Sequence, residues 1–222
     1  MSDFTVEELN KQYSKEQPMD FLLEYNPDNF WEELGKYYTN TFHTPEAINM
    51  NIPIIRNRLY AIKAKRILEV GCGFGRVLSS LHAMKSAIGY DYLVGLEMSK
   101  TMIESSENMF HNILKMEDHP EIVNGNAKAI PFPDKNFDTT YTHVCLTHIP
   151  PEDIPTVIKE IDRVTTNYII HVERYAWYYE HTNPHRWSHN IVDPYIALGW
   201  KVLEYTTAKE EHYTRVLVLG RK

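Results

Sequence analysis

The chain of 222 residues is predicted to fold as an α/β protein on one mostly parallel sheet, preceded by a helical segment. Three observations carry this reading. From Arg66 onward, short apolar runs alternate with helical stretches, the pattern of βα units whose right-handed crossovers build a parallel sheet. A loop with Gly71, Gly73 and Gly75 separates the first such run from the first such helix. The last two runs, WKVLEYT (200–206) and YTRVLVLG (213–220), follow each other with no helix between them, which requires one antiparallel strand at the end.

The elements follow in order. Residues 1–62 are rich in aromatics and helix signals and hold no convincing strand, so they are read as a helical cap on a main domain of residues 63–222. Asp3 can cap a helix through VEELNKQY, Asp28 precedes NFWEELGKYY, and Thr44-Pro45-Glu46 is a third start signal. In the second of these, Phe30, Trp31, Leu34 and Tyr37 or Tyr38 recur at helical spacing. RILEV (66–70) is the first strand and RVLSSLHAM (76–84) the first helix of the main domain. LVGLEM (93–98) is the second strand, and Ser99 caps one long helix through KTMIESSENMFHNILKME. EIVN (121–124) and DTTYTHV (138–144) are the next two strands. PEDIPTVIKEIDRV (151–164) carries an apolar stripe at 154, 157, 158, 161 and 164. NYIIHVE (167–173) is a strand, and Asp193-Pro194 opens a short helix to Leu198.

Composition narrows the function. The chain is 43% hydrophobic and 24% charged, enough for a sizeable core, and no run approaches the roughly 18 apolar residues of a membrane span. Lys plus Arg is 23 against 30 Asp plus Glu, a net charge of −7, which argues against a nucleic-acid surface. The first twenty residues are polar and acidic with no apolar h-region, so no secretory signal is read and a cytoplasmic location is expected. Cys72 and Cys145 cannot make a disulfide framework, and a zinc cluster would need other ligands, so no metal is expected.

The segment ILEVGCGFGRVL (67–78) is the sharpest chemical signal. Glycines between a strand and a helix let the backbone turn tightly and let a ligand lie on the main chain. The spacing is G-x-G-x-G rather than the G-x-G-x-x-G of a dinucleotide fingerprint, with Arg76 where the third glycine of that fingerprint would fall. A carboxylate at the tip of the second strand can accept both hydrogen bonds of a ribose diol. Glu97 and Asp91 compete for that place, and Glu97 is preferred because the apolar run VGL precedes it and the cap Ser99 follows.

With these residues in view the chain resembles the class I S-adenosylmethionine-dependent methyltransferases. ILEVGCGFG is similar to their first motif, GLEMSKTMI to the second, and NGNAKAIPFPDKNFD (124–138) to the landmark after strand three. The resemblance implies strand order 3-2-1-4-5-7-6 with strand seven antiparallel and helices on both faces. It implies S-adenosylmethionine as the cofactor. Glu69 and the backbone of Gly71, Gly73 and Gly75 would hold its amino-acid end and pass beneath the ribose. Glu97 would take the ribose hydroxyls, Met98 pack on the adenine and Asn126 face its amino group. Ala127 would offer a backbone N–H, and Thr142 would lie near the sulfonium. Asn126 stands where the family usually has Asp, but its amide oxygen can still accept that bond.

Ligands of such a sheet bind beyond the carboxyl ends of the strands, so the acceptor is sought there. After strand four, His143 and His148 are candidate bases, with His143 nearer the expected methyl position. After strand five, the segment 173–190 holds Tyr175, Trp177 and His181 within a dense aromatic run. With Tyr13 and Trp31 of the cap, these are the expected wall for a small-molecule acceptor, which an aromatic surface could hold by apolar contact or cation–π attraction. The same aromatics could instead simply pack the cap on the sheet. The expected activity is methyl transfer to an oxygen or nitrogen. The alternatives are a catalytically silent module that binds the same cofactor, and a nicotinamide oxidoreductase, which the glycine spacing opposes.

Overall fold

Strand β1 (Arg66–Val70) is buried from Ile67 to Val70, as expected for a strand covered on both faces. It lies between β2 (Tyr92–Glu97) and β4 (Phe137–His143), parallel to both. β3 (Glu121–Asn124) extends the sheet beyond β2, and β5 (Thr165–Arg174) beyond β4, again in parallel. The computed structural model describes residues 25–41, 52–174, 180–183, 186–207 and 214–221. A short hairpin, β6 (Glu180–Asn183) with β7 (Arg186–Ser188), precedes the last two strands, β8 (Lys201–Thr207) and β9 (Thr214–Gly220). The large sheet has the order β3-β2-β1-β4-β5-β9-β8, with β9 antiparallel to both neighbours. Once the hairpin is set aside, this is the expected order 3-2-1-4-5-7-6.

Alternation along the strands divides the core between the two faces. Ile67, Tyr141, Ile170, Val216 and Val218 point to one face. There they meet Ile55 and Leu59 of α2 (Ile52–Ile62) and Leu78 and Leu81 of α3 (Arg76–His82). A short α4 (Lys85–Ile88) adds Ile88 to the same cluster. Leu68, Val70, Ile169, Leu217 and Leu219 point the other way. They pack on α6 (Ile154–Val164) and on Tyr195 of α7 (Val192–Ala197). In α6 all five stripe positions, from Ile154 to Val164, are buried.

The N-terminal helix α1 (Pro27–Thr41) docks on α5 (Lys100–Asn108). The Glu32 carboxylate accepts the N–H groups of Lys100 (2.6 Å) and Thr101 (3.1 Å), two of the donors a helix start leaves unpaired. Burial opposes the charge on Glu32, but these bonds, with hydroxyls of Thr101 and Ser99, outweigh it and hold the carboxyl below its ordinary value. Gly35 permits the close approach, since a Cβ there would stand 2.2 Å from Thr101 Oγ1. The cap signal at Ser99 is real: its hydroxyl accepts from Met102 N and donates to the carbonyl of Trp31.

Two details depart from the sequence reading. The helix expected to run through Glu117 is α-helical only to Asn108 and then widens into a π turn, Met109–Ile113. Leu114 N reaches back five residues to Met109 O. The segment 180–188, expected as loop, supplies the hairpin. The signals at Asp3 and Thr44 lie outside the described residues. Among the described residues no helix is long and apolar enough to cross a membrane.

Candidate active site

The register of the parallel strands brings their carboxyl ends to one edge. Val70 is level with Leu96 and with Thr142, and His143 with Val172. The loop after β1 therefore lies beside the tips of β2, β4 and β5. Gly71, Gly73 and Gly75 all have positive φ (70°, 55° and 77°), a region costly for side-chain-bearing residues. Their surroundings differ. A Cβ on Gly71 would lie 2.2 Å from Cys145 Sγ, and one on Gly75 would lie 2.6 Å from Phe110 Cζ. At Gly73 a Cβ would meet nothing within 4 Å, so the main chain there faces open space.

Glu97 ends β2 beside this opening. Its two carboxylate oxygens accept from Gly73 N (2.8 Å) and Ser99 N (2.9 Å), which leaves each oxygen a further lone pair. Burial raises its pKa against three backbone hydrogen bonds that lower it. Asp91 sits exposed at the opposite, entering end of β2, where it cannot serve the glycine loop. Glu69 lies beneath, buried, accepting a 2.6 Å bond from Tyr141 Oη. Burial pushes its carboxyl up to about 8 and the nearby Glu97 adds to this, while the Tyr141 bond and Arg76 pull it down.

A family model described as a methyltransferase domain matches residues 67–167. The fatty-acid O-methyltransferase of Mycolicibacterium smegmatis is 30% identical over 164 residues, 74% of this chain and 50% of its own length. The crystal structure of magnesium protoporphyrin IX methyltransferase from Synechocystis with bound S-adenosylmethionine superposes with a TM-score of 0.62 at 14% identity, covering 96% of this chain and 89% of that one. Residues 67–167 are thus similar to a methyltransferase domain, carried on the fold of S-adenosylmethionine-dependent methyltransferases. The fold alone is also shared by the [4+2]-cyclase SpnF, with a TM-score of 0.60 at 16% identity, covering 79% of this chain and 81% of that one. The chain spans about half the length of the curated relatives it matches.

The residues at this edge fit S-adenosylmethionine, which the Synechocystis structure holds. The open backbone at Gly73 and the paired acceptors of Glu97 suit a ribose diol lying on the loop. Asn124 donates to the carbonyls of Glu97 and Met98 and braces the strand tip. Asn126 turns its amide oxygen onto Lys128 N (2.9 Å), with a second lone pair in reserve. Ala127, next in the chain, and Met98, just past the tip of β2, are both half-buried. Thr142 is at the β4 tip as expected, but its hydroxyl lies 2.7 Å from buried His171 Nδ1, turned toward β5.

His143 follows at the same tip, partly buried, with Nδ1 3.3 Å from an Arg76 guanidinium nitrogen and a buried Nε2 without a hydrogen-bond partner. Burial first and Arg76 second pull its pKa down to about 3. Guanidinium is a donor with no acceptor, so Nδ1 accepts and the ring proton sits on Nε2. His148 lies in the 3₁₀ turn Leu146–His148. Its carbonyl accepts from Tyr25 Oη (2.6 Å), and its ring meets Trp31 edge-on at 4.9 Å. Trp31 Nε1 in turn donates to Tyr25 Oη (3.1 Å), and Tyr25 touches Trp187 of the hairpin at 5.3 Å. The cap, the turn after β4 and the hairpin after β5 thus meet in one aromatic cluster. Tyr13, Tyr175 and Trp177 lie outside the described residues, as does the side chain of His181, which pairs with Trp187 in the hairpin ladder.

The sequence reading missed Glu173 and the role of Arg76. Glu173 lies buried one residue before the end of β5, and its carboxylate accepts from the N–H groups of Cys145 (2.9 Å), Leu146 (3.1 Å) and Thr147 (3.3 Å). Burial drives its pKa up to about 7 against those bonds. The signal was a carboxylate closing the apolar run NYIIHV, the same pattern that singled out Glu97.

Proposed function

We propose that this protein transfers the methyl group of S-adenosylmethionine to an oxygen or nitrogen of a small molecule. The observation that carries the reading is the open main chain at Gly73 with Glu97 paired beside it at the tip of β2. When bound, the donor supplies an electrophilic methyl group on a sulfonium. In this reading Glu69 and the glycine loop hold the amino-acid end, Glu97 the ribose, and Met98, Asn126 and Ala127 the adenine. The backbone at Thr142 lines the floor near the sulfonium, since its hydroxyl is already turned to His171.

His143 then serves the acceptor as a hydrogen-bond donor rather than as a base. Its ring is held neutral with the proton on Nε2, so it can position an oxygen but has no free lone pair there to take a proton. An acceptor already ionised, such as a carboxylate, needs no base, and the relative in M. smegmatis is by its name a fatty-acid O-methyltransferase. Trp31 and Trp187 would supply the apolar wall, and the cap would exclude water from charge-separating chemistry.

The test is turnover of labelled donor against panels of small carboxylic acids, phenols and amines. Methyl transfer to a small acceptor is expected, with Trp31→Ala raising its KM more than it changes the donor Kd. With the donor saturating, so that Glu69 titration does not enter, the acceptor kcat/KM profile should show no imidazole limb between about pH 5 and 8. Donor binding with no transfer to any acceptor class would favour a silent or non-methylating protein, a reading that the fold shared with SpnF makes concrete.

A pH effect on donor-site binding follows from Glu69. Its carboxyl is about half protonated near pH 8 in the free protein. An ammonium group placed beside it favours the carboxylate and lowers that pKa. S-adenosylhomocysteine should therefore release protons on binding near pH 7. Its affinity should rise with pH up to about 8 and level off where Glu69 is already ionised. Calorimetry in buffers of differing ionisation enthalpy measures the release, which Glu69→Gln should abolish. Equal heats in all buffers for the unmodified protein would remove Glu69 from the amino-acid end.

A further inference from the structure

We propose that Glu107, His111 and His119 form a binding site for a divalent transition-metal ion of the zinc type, clipping the end of α5 to the loop that enters β3. One ligand atom from each residue lies within 4.8 Å of the other two. Glu107 and His111 are one helical turn apart, with Oε2 and Nε2 separated by 3.2 Å. The His111 and His119 rings meet edge-on at 4.7 Å.

The third residue makes this more than a helix ion pair. His119 Nδ1 lies 3.2 Å from the carbonyl oxygen of Pro120. A carbonyl only accepts, so Nδ1 carries the proton and Nε2 presents its lone pair. Metal-binding imidazoles are characteristically oriented in this way, with the second nitrogen donating to a carbonyl or carboxylate. Two imidazoles and one carboxylate are a common zinc set, with water completing the shell. Donors bound at about 2.0–2.2 Å to a tetrahedral ion stand roughly 3.4 Å apart. The Glu107–His111 pair already meets that spacing. The His119 side must close by rotation, which the half-exposed Glu107 and His111 side chains are free to follow.

The location gives the clip a consequence. His119 packs at 5.1 Å on Phe110, which is fully buried, and Phe110 lies directly against the backbone of Gly75. His111 lies within the π turn, where the helix hydrogen bonding is already irregular, and His119 follows it. An ion there would hold the loop before β3 on the helix end that supports the glycine loop.

The experiment is titration of the full chain with Zn²⁺ alone, in competition with a chromophoric chelator, alongside thermal unfolding. One equivalent is expected with a micromolar or tighter Kd and a rise in Tm. His111→Ala and His119→Ala should each weaken binding by roughly tenfold or more and remove the rise. The double substitution His181→Ala/His185→Ala should leave both unchanged. Co²⁺ substitution adds a spectroscopic check, since intense visible bands report a tetrahedral site. The proposal is overturned if Zn²⁺ binds no more tightly than about 100 µM. It is equally overturned if tight binding survives His119→Ala, or disappears with the His181/His185 pair instead.

Discussion

Replacing Gly71 by alanine is expected to cost the fold about 2–5 kcal/mol, combining a left-handed backbone with an overpacked contact. The new Cβ would stand 2.2 Å from Cys145 Sγ and 2.9 Å from Cys145 Cβ at a φ of 70°. Neither strain can relax cheaply. Gly71 N is tied to Leu96 O at 2.8 Å, and the turn carrying Cys145 is pinned by three hydrogen bonds to Glu173. Chemical denaturation measures the loss. Cys145→Gly in the same chain should return the part owed to the clash and leave the part owed to φ. A Gly71→Ala protein as stable as the parent would mean that the strand-to-loop geometry at this edge is wrong. Gly73→Ala is the internal control, since it bears the same backbone strain but meets no neighbour.

Glu97→Ala should weaken binding of S-adenosylhomocysteine roughly 10- to 100-fold, while Asp91→Ala should leave it within about twofold. Truncation at 97 removes the acceptors proposed for the ribose and leaves two N–H groups, of Gly73 and Ser99, without their carboxylate. Asp91 touches none of this and sits at the far end of the same strand. Calorimetric Kd values for the two variants decide the matter, with thermal unfolding run in parallel to separate lost affinity from lost fold. If Asp91→Ala proved the more damaging, the proposed ribose site at the carboxyl end of β2 would fall with it.

How much of this was legible beforehand differs from element to element. The stripe of α6, the cap at Ser99 and the glycine loop were readable because each depends on residues near one another in the chain. The π turn after Asn108 was not, because no propensity distinguishes it from continued helix. Within it, Phe110 packs against Gly75, thirty-five positions away, a contact no local pattern records. The hairpin at 180–188 was hidden by a composition that reads as loop. The choice of Glu97 over Asp91 rested on the apolar run before it and the cap Ser99 after it, and β2 does end at Glu97 with Ser99 capping the next helix. His143 was expected as a candidate base, and it lies at the tip of β4 where burial and Arg76 disfavour its charged form. A basic imidazole was expected, and the guanidinium that fixes its tautomer comes from a helix sixty-seven residues earlier.

The sequence by itself therefore determined the order of the elements, the strand-to-helix loop for a ligand, and the acidic tip beside it. These are written in local periodicity, turn chemistry and caps, which act over a few residues and survive without a partner. The tertiary structure alone decided the protonation of the site. Glu69 is pushed up to about 8, Glu173 to about 7 and His143 down to about 3 because the folded sheet strips them of water. It also decided which aromatics meet, joining Tyr25 and Trp31 of the cap to His148 and Trp187 across more than a hundred residues. Desolvation and long-range contact are properties of three-dimensional neighbourhoods, and a pattern read along the chain carries neither.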